Sequence, residues 1–142
     1  MIKTGSWFVK IPDDHIKIGV SRYAPRGMAR GYKLYRGLAP GAWFNAVSPQ
    51  EYLIRYNQIL AGLDPAKVVD EIEEIAEGKV AVLCCYESVQ KISAGETWCH
   101  RHIIANWLAD TLGLVVEEHG ASEDFDPWGH LRAQGLEPPR YD

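Results

Sequence analysis

Acidic residues are missing between His15 and Gln50, cysteine is scarce, and no apolar stretch nears the length of a membrane span. Each absence excludes something. A span needs roughly 18 or more consecutive apolar residues, so no transmembrane helix is expected. Three cysteines, Cys84, Cys85 and Cys99, are too few and odd in number for a secreted disulfide framework. There is no C-x-x-C pair, and a site from Cys85, Cys99 and His102 would lack a fourth ligand, so neither a metal nor a cofactor is expected. The segment Trp7 to Pro12 stands where a secretory leader would carry its apolar run, which makes the expected location cytoplasmic. Gly-rich phosphate loops of the P-loop or dinucleotide type are absent as well.

What is present is an ordinary globular composition. Hydrophobic residues make up 46% and charged residues 24% of 142 positions, which excludes a disordered chain and suits one hydrophobic core. The expected organisation is a single domain over 1–142, with 120–142 as an irregular C-terminal extension packed on it. The net charge of −4 is unevenly distributed: residues 1–50 carry eight Lys/Arg and two acids, residues 51–142 seven Lys/Arg and seventeen acids. The basic half can form a local anion site or pair with the later acids.

Trp7–Ile11 and Ile16–Val20 read as short strands around the turn Pro12-Asp13-Asp14, with a further strand about Lys33-Leu34-Tyr35. Ser48-Pro49-Gln50-Glu51 is a capping box, followed by Tyr52, Leu53, Tyr56, Ile59 and Leu60 at helical spacing. Asp64-Pro65 starts a second helix whose buried face is Val68, Val69, Ile72, Ile75 and Ala76. Lys79 to Cys85 is a continuous apolar run and reads as a central, buried strand. Thr97 is expected to cap a third helix, and Leu114–Glu118 to form the next strand. A short helical turn is possible about Trp128–Arg132. The fold class is therefore α/β, a three-layer sandwich with a mainly parallel central sheet of Rossmann-like or flavodoxin-like topology.

In open parallel sheets ligands bind beyond the carboxyl ends of the strands. Here the central strand ends at Cys84-Cys85-Tyr86-Glu87, and the next helix begins at Trp98-Cys99-His100-Arg101-His102. Unpaired amides at a helix start favour an anion and a thiolate. The candidate catalytic residues are Cys85, Cys99, His100 and Glu87, with His102 as another possible proton carrier. Arg101, Arg22, Arg26 and Tyr86 are candidates for holding an anionic substrate. A phosphatase- or rhodanese-type loop is excluded, because no Arg follows Cys85 or Cys99 at the distance such a cradle needs.

The pairing of Cys85-Tyr86-Glu87 with Cys99-His100-Arg101 resembles the bacterial domain of unknown function 488 family. Ser21-Arg22-Tyr-Ala-Pro25-Arg26-Gly27 resembles its basic loop, and Leu38 to Phe44 and the helix through Tyr52–Tyr56 are also similar. The resemblance spans roughly 16–118 and implies a three-layered α/β fold with a pocket around the two cysteines. It implies no activity. The connection Ser88–Trp98 is longer than is usual there, and the early strand lacks the family's Gly-Tyr/Phe-Ser signature.

Three functions fit these residues. One is a thiol-dependent enzyme acting on a phosphorylated or nucleotide-like small substrate. Another is a non-catalytic binding module for nucleic acid or nucleotide, using Arg22, Arg26, Arg30, Lys33 and Arg36 interleaved with Tyr23, Tyr32 and Tyr35. The last is a redox pair, Cys85 with Cys99. The expected partner is a small anionic ligand, with nucleic acid possible and no membrane; the sequence leaves the oligomeric state open.

Overall fold

Residues 80–85, Val-Ala-Val-Leu-Cys-Cys, carry no polar side chain, and such a run is stable only where both faces of a strand are covered. A computed structural model, describing residues 1–142, places this segment at the centre of a five-stranded sheet. In chain order the elements are β1 (Ile2–Ser6), β2 (His15–Gly19), β3 (Lys33–Leu34), α1 (Pro49–Ala61), α2 (Pro65–Ala76), β4 (Val80–Cys85), α3 (Val89–Ser93), α4 (His100–Leu112), β5 (Glu117–Glu118) and α5 (Gly129–Arg132), with a 3₁₀ turn at Arg36–Leu38. The strand order is β3-β2-β4-β1-β5 and every pairing is parallel. This is the α/β, parallel-sheet architecture expected from the sequence.

The side chains of β4 alternate between two cores. Ala81 and Leu83 join the large core formed with Tyr56 and Leu60 of α1, Val68 and Ile72 of α2, and Ile103, Trp107 and Leu108 of α4. Val82 and Cys84 face the other way, against the fully buried Trp7. No helix covers that second face. It is sheltered by the loops between the first three strands, through Ile11, Ala24, Met28 and Tyr32. Trp128 and Leu131 of the C-terminal segment also enter the large core, and Tyr141 donates to Asn57 of α1 at 2.6 Å.

The capping chemistry places α1 and α2 where the sequence predicts them. Ser48 Oγ accepts from the Glu51 amide at 3.2 Å, and Asp64 Oδ1 from the Ala66 amide at 3.1 Å. The first strand differs. It is Ile2–Ser6, not Trp7–Ile11, because backbone pairing with β4 on one side and β5 on the other defines it rather than apolar alternation. The Trp7–Ile11 run turns over the sheet, burying Trp7 and leaving Phe8 65% exposed. The last strand shrinks to Glu117–Glu118, and Cys99 rather than Thr97 occupies the N-cap of α4. The long connection after β4 contains α3, capped by Ser88.

Gly19 is where the loop-covered face is tightest: an added Cβ would collide with the Trp7 and Leu34 side chains. Gly19→Ala is expected to destabilise the protein by about 1–3 kcal/mol, read as a lower urea midpoint with an unchanged m-value.

Candidate active site

Cys85 is the last residue of β4 and shares its face with Ala81 and Leu83, so its thiol points toward the helix layer. Cys84, one residue earlier, points away into the Trp7 cluster; burial pushes its thiol up to about 12, leaving it inert at neutral pH. Cys99 caps the thirteen-residue α4, and His100 follows as its first helical residue. The sulfurs of Cys85 and Cys99 and a ring nitrogen of His100 all lie within 4.8 Å of one another.

The imidazole is held in one orientation. His100 Nε2 is 2.8 Å from the Val20 carbonyl, an oxygen that only accepts, so Nε2 carries the proton. Nδ1 faces Cys85 Sγ at 3.7 Å, accepting from the thiol when the ring is neutral and donating toward sulfur when it is protonated. Tyr56 packs edge-on against the ring at 5.3 Å between centroids. Glu87 approaches from the loop after β4 and accepts from Cys85 Sγ at 3.6 Å.

These groups polarise one another. Burial opposes ionisation of Cys99, yet the polar contact with Cys85, the positive charge of Arg101 and the His100 imidazole together hold it well below the ordinary thiol range. Cys85 moves the opposite way, raised by its interaction with Cys99 and then by burial. The two thiols are therefore coupled, with ionisation favoured at Cys99 and opposed at Cys85. Burial first, and the negative charge of Cys99 second, push Glu87 up to about 7.

The group forms the floor of a cavity of about 430 Å³, a volume typical of a small-molecule site. Its walls are Tyr52 and Trp98 (edge-to-face at 4.7 Å), Phe44, Tyr86, and Ser21, Arg22 and Tyr23 of the loop after β2. The cavity thus opens beyond the carboxyl ends of β2 and β4. Cys85, Cys99, His100, Glu87, Tyr86 and Arg22 all line it.

Three residues singled out from the sequence do not. Arg26 is exposed and lines none of the principal cavities. Arg101 is fully buried, and its planar grip closes on Glu118 of β5: Nη2 to Oε2 is 2.7 Å and Nε to Oε1 is 3.1 Å. It acts on the cavity through its charge rather than by contact. His102 also leaves the cavity, with Nε2 3.0 Å from Glu118 Oε1. The donor set that does converge contains His100 instead of His102 and has three members, one short of a closed tetrahedral metal site.

Sequence reasoning missed Tyr52 and Trp98 as cavity walls, because both match the periodic apolar signal of a helix or its flank. It also missed Glu118, which only the pairing of β1 with β5 brings beneath α4.

A family model described as "Active DUF488-N3 subclade" matches residues 8–112. No curated protein and no solved structure is matched. The match covers most of the chain, which belongs to the domain of unknown function 488 family.

Glu118 accepts from Thr4 Oγ1 at 2.6 Å as well as from Arg101 and His102. Burial opposes its ionisation, but those hydrogen bonds and the Arg101 charge hold its carboxyl down to about 2. Its stabilising contribution is complete above the unfolded carboxyl value near 4.5 and is lost as pH falls toward about 2. Glu118→Gln leaves Arg101 buried without a counter-charge and is expected to cost about 3–5 kcal/mol. Urea unfolding against pH checks both statements: the wild-type midpoint falls on acidification below about 4.5, and this decline is shallower in E118Q.

Proposed function

For this member of the domain of unknown function 488 family, we propose a thiol-dependent enzyme acting on a phosphorylated, nucleotide-like small substrate, with Cys99 as nucleophile. The observation that carries the reading is the meeting of a helix-start thiolate, a second thiol, an oriented imidazole and a near-neutral carboxyl on the floor of an aromatic-walled cavity. Flat aromatic walls suit a base or another planar ring, and the amides at the start of α4 favour developing negative charge.

The chemistry balances with the groups at hand. Cys99 Sγ attacks an electrophilic carbon of the substrate, the new S–C bond forms, and the bond from that carbon to the leaving oxygen or nitrogen breaks. Glu87, protonated on about half of the molecules at neutral pH, gives its proton to the leaving group. Water then attacks the same carbon and yields a proton to Glu87, and the S–C bond breaks to restore the thiolate. Cys85 and His100 hold the charge distribution at Cys99 throughout.

A second reading, a redox pair, is favoured by the Cys85–Cys99 separation alone. Hydrogen peroxide would oxidise the two thiols to one disulfide and be reduced to two waters. The binding-module reading finds less support. Tyr32 packs edge-on against Trp7 and the Tyr35 hydroxyl is tied to Glu71, which leaves Tyr23 as the exposed ring of the three.

The deciding measurement is alkylation of each cysteine against pH by iodoacetamide. Cys99 is expected to titrate well below the ordinary thiol value of about 8.5, and Cys85→Ala, which removes its polar partner, to move it back up. In a screen of phosphorylated nucleosides and sugars, Cys99→Ser should reduce turnover to background and Glu87→Gln should slow it about 10²- to 10⁴-fold. An ordinary thiol profile for Cys99, or full turnover by C99S, overturns the reading. Mild peroxide treatment that protects both cysteines reversibly from alkylation would favour the redox pair instead.

A further inference from the structure

The cavity over Cys99 shares part of its lining with a second, smaller one. A pocket of about 210 Å³ is lined by Arg22, Tyr23, Arg36, Ala39 and Pro40, of which Arg22, Tyr23 and Pro40 also line the thiol cavity. Taken together they make a groove with the thiols in one part, Arg36 in the other, and Arg22 lining both.

Those guanidinium groups are placed by the backbone, not by acids. Arg22 Nη1 donates to the Pro40 carbonyl at 3.0 Å, and Arg36 Nη1 donates to the Arg22 carbonyl at 3.3 Å. Arg22 also lies over the Tyr23 ring, 5.8 Å from its centroid. Each side chain has five N–H donors, so most remain unused. Neither arginine takes part in any of the chain's ion pairs. Both stand in the segment that lacks any acidic residue. Neither guanidinium has a carboxylate partner, so an anion bound beside them would supply the missing counter-charge. Arginine's planar fork matches phosphate oxygens in pairs.

We propose that Arg22 and Arg36 form the phosphate subsite of this groove, holding the phosphomonoester of a nucleotide-like ligand whose ring lies between the aromatic walls above Cys99. This rests on the thiol-enzyme reading for what happens at the far end, but not for the binding itself. It also reassigns the anion grip. Arg101 is committed to Glu118 and Arg26 lies outside the groove, whereas Arg36, fourteen residues after Arg22, completes the pair.

The test compares two probes that differ only by a phosphate, adenosine and adenosine monophosphate, as protectants of Cys99 against iodoacetamide. In the wild type the monophosphate should half-protect at a concentration about ten- to a hundred-fold lower than adenosine. In Arg36→Gln that advantage should vanish, and in Arg36→Lys, which restores the charge without the fork, it should return in part. Equal protection by the two probes in the wild type, or an advantage undiminished in R36Q, overturns the subsite. Pyrophosphate binding, followed by calorimetry, separates this from the catalytic reading. If wild type and C99S bind it and R36Q does not, the subsite stands even where Cys99 proves to have an ordinary thiol profile. If C99S fails to bind while R36Q binds, the subsite falls.

Discussion

One buried carboxylate ties together the parts of this molecule that matter for its site. Glu118 sits on a two-residue edge strand that could not hold itself in place by backbone pairing alone. Its oxygens take up Thr4 of β1 together with Arg101 and His102 of α4. A buried charge is tolerated only where it is neutralised and hydrogen-bonded, and although Arg101 Nη1 and His102 Nδ1 find no partner, turning either side chain away from Glu118 would leave the carboxylate buried and unpaired. That arrangement sets the rotation of the first turn of α4. With Arg101 and His102 directed at Glu118, Cys99 and His100 are left facing the end of β4, and the thiol pair follows from that.

The positive charge beneath the thiolate is thus internal. Arg101 stabilises Cys99 electrostatically while being unable to reach a ligand, which divides two tasks that one arginine might have been expected to perform. A protein that keeps its activating charge away from the substrate needs another group to bind an anion, and the loop after β2 carries two candidates at the cavity rim. The buried charge beside Cys99 and the unpaired arginines at the rim thus sit on different segments, one in the helix layer and one in the loops.

Much of this was legible in the sequence because it rests on local rules. The caps Ser48 and Asp64 and the all-apolar strand 80–85 announce themselves within a few residues, and they suffice for the α/β class. The juxtaposition of Cys85, Glu87, Cys99 and His100 follows from strand-end and helix-start positions. What escaped depends on distant pairing. β1 has only Ile2 as an apolar signal on the core face, since Thr4 is buried to meet a residue 114 positions away. Trp7 looks like a strand residue because a buried ring on a turn and one in a sheet leave the same apolar mark. The diversion of Arg101 and His102 could not be seen without knowing that Glu118 lies under them. The role of Arg36 depends on a loop that folds back by fourteen residues.

The position of β1 also constrains when this protein can acquire its structure. β1 lies between β4 and β5, which are made after it, with Thr4 beside Leu83 on one side and Glu118 on the other. A growing chain therefore holds its N-terminal strand unpaired until residues 80–85 have emerged. Loop closure over such separations is slow compared with local helix formation. The helices α1 and α2 can form early, but the thiol floor becomes rigid only when the last strand arrives. Until Glu118 arrives Arg101 has no buried partner, and the first turn of α4, which carries Cys99 and His100, is not yet fixed against the end of β4. The geometry of the Cys99 turn is in this sense a late-acquired property, complete only when the whole sheet has closed.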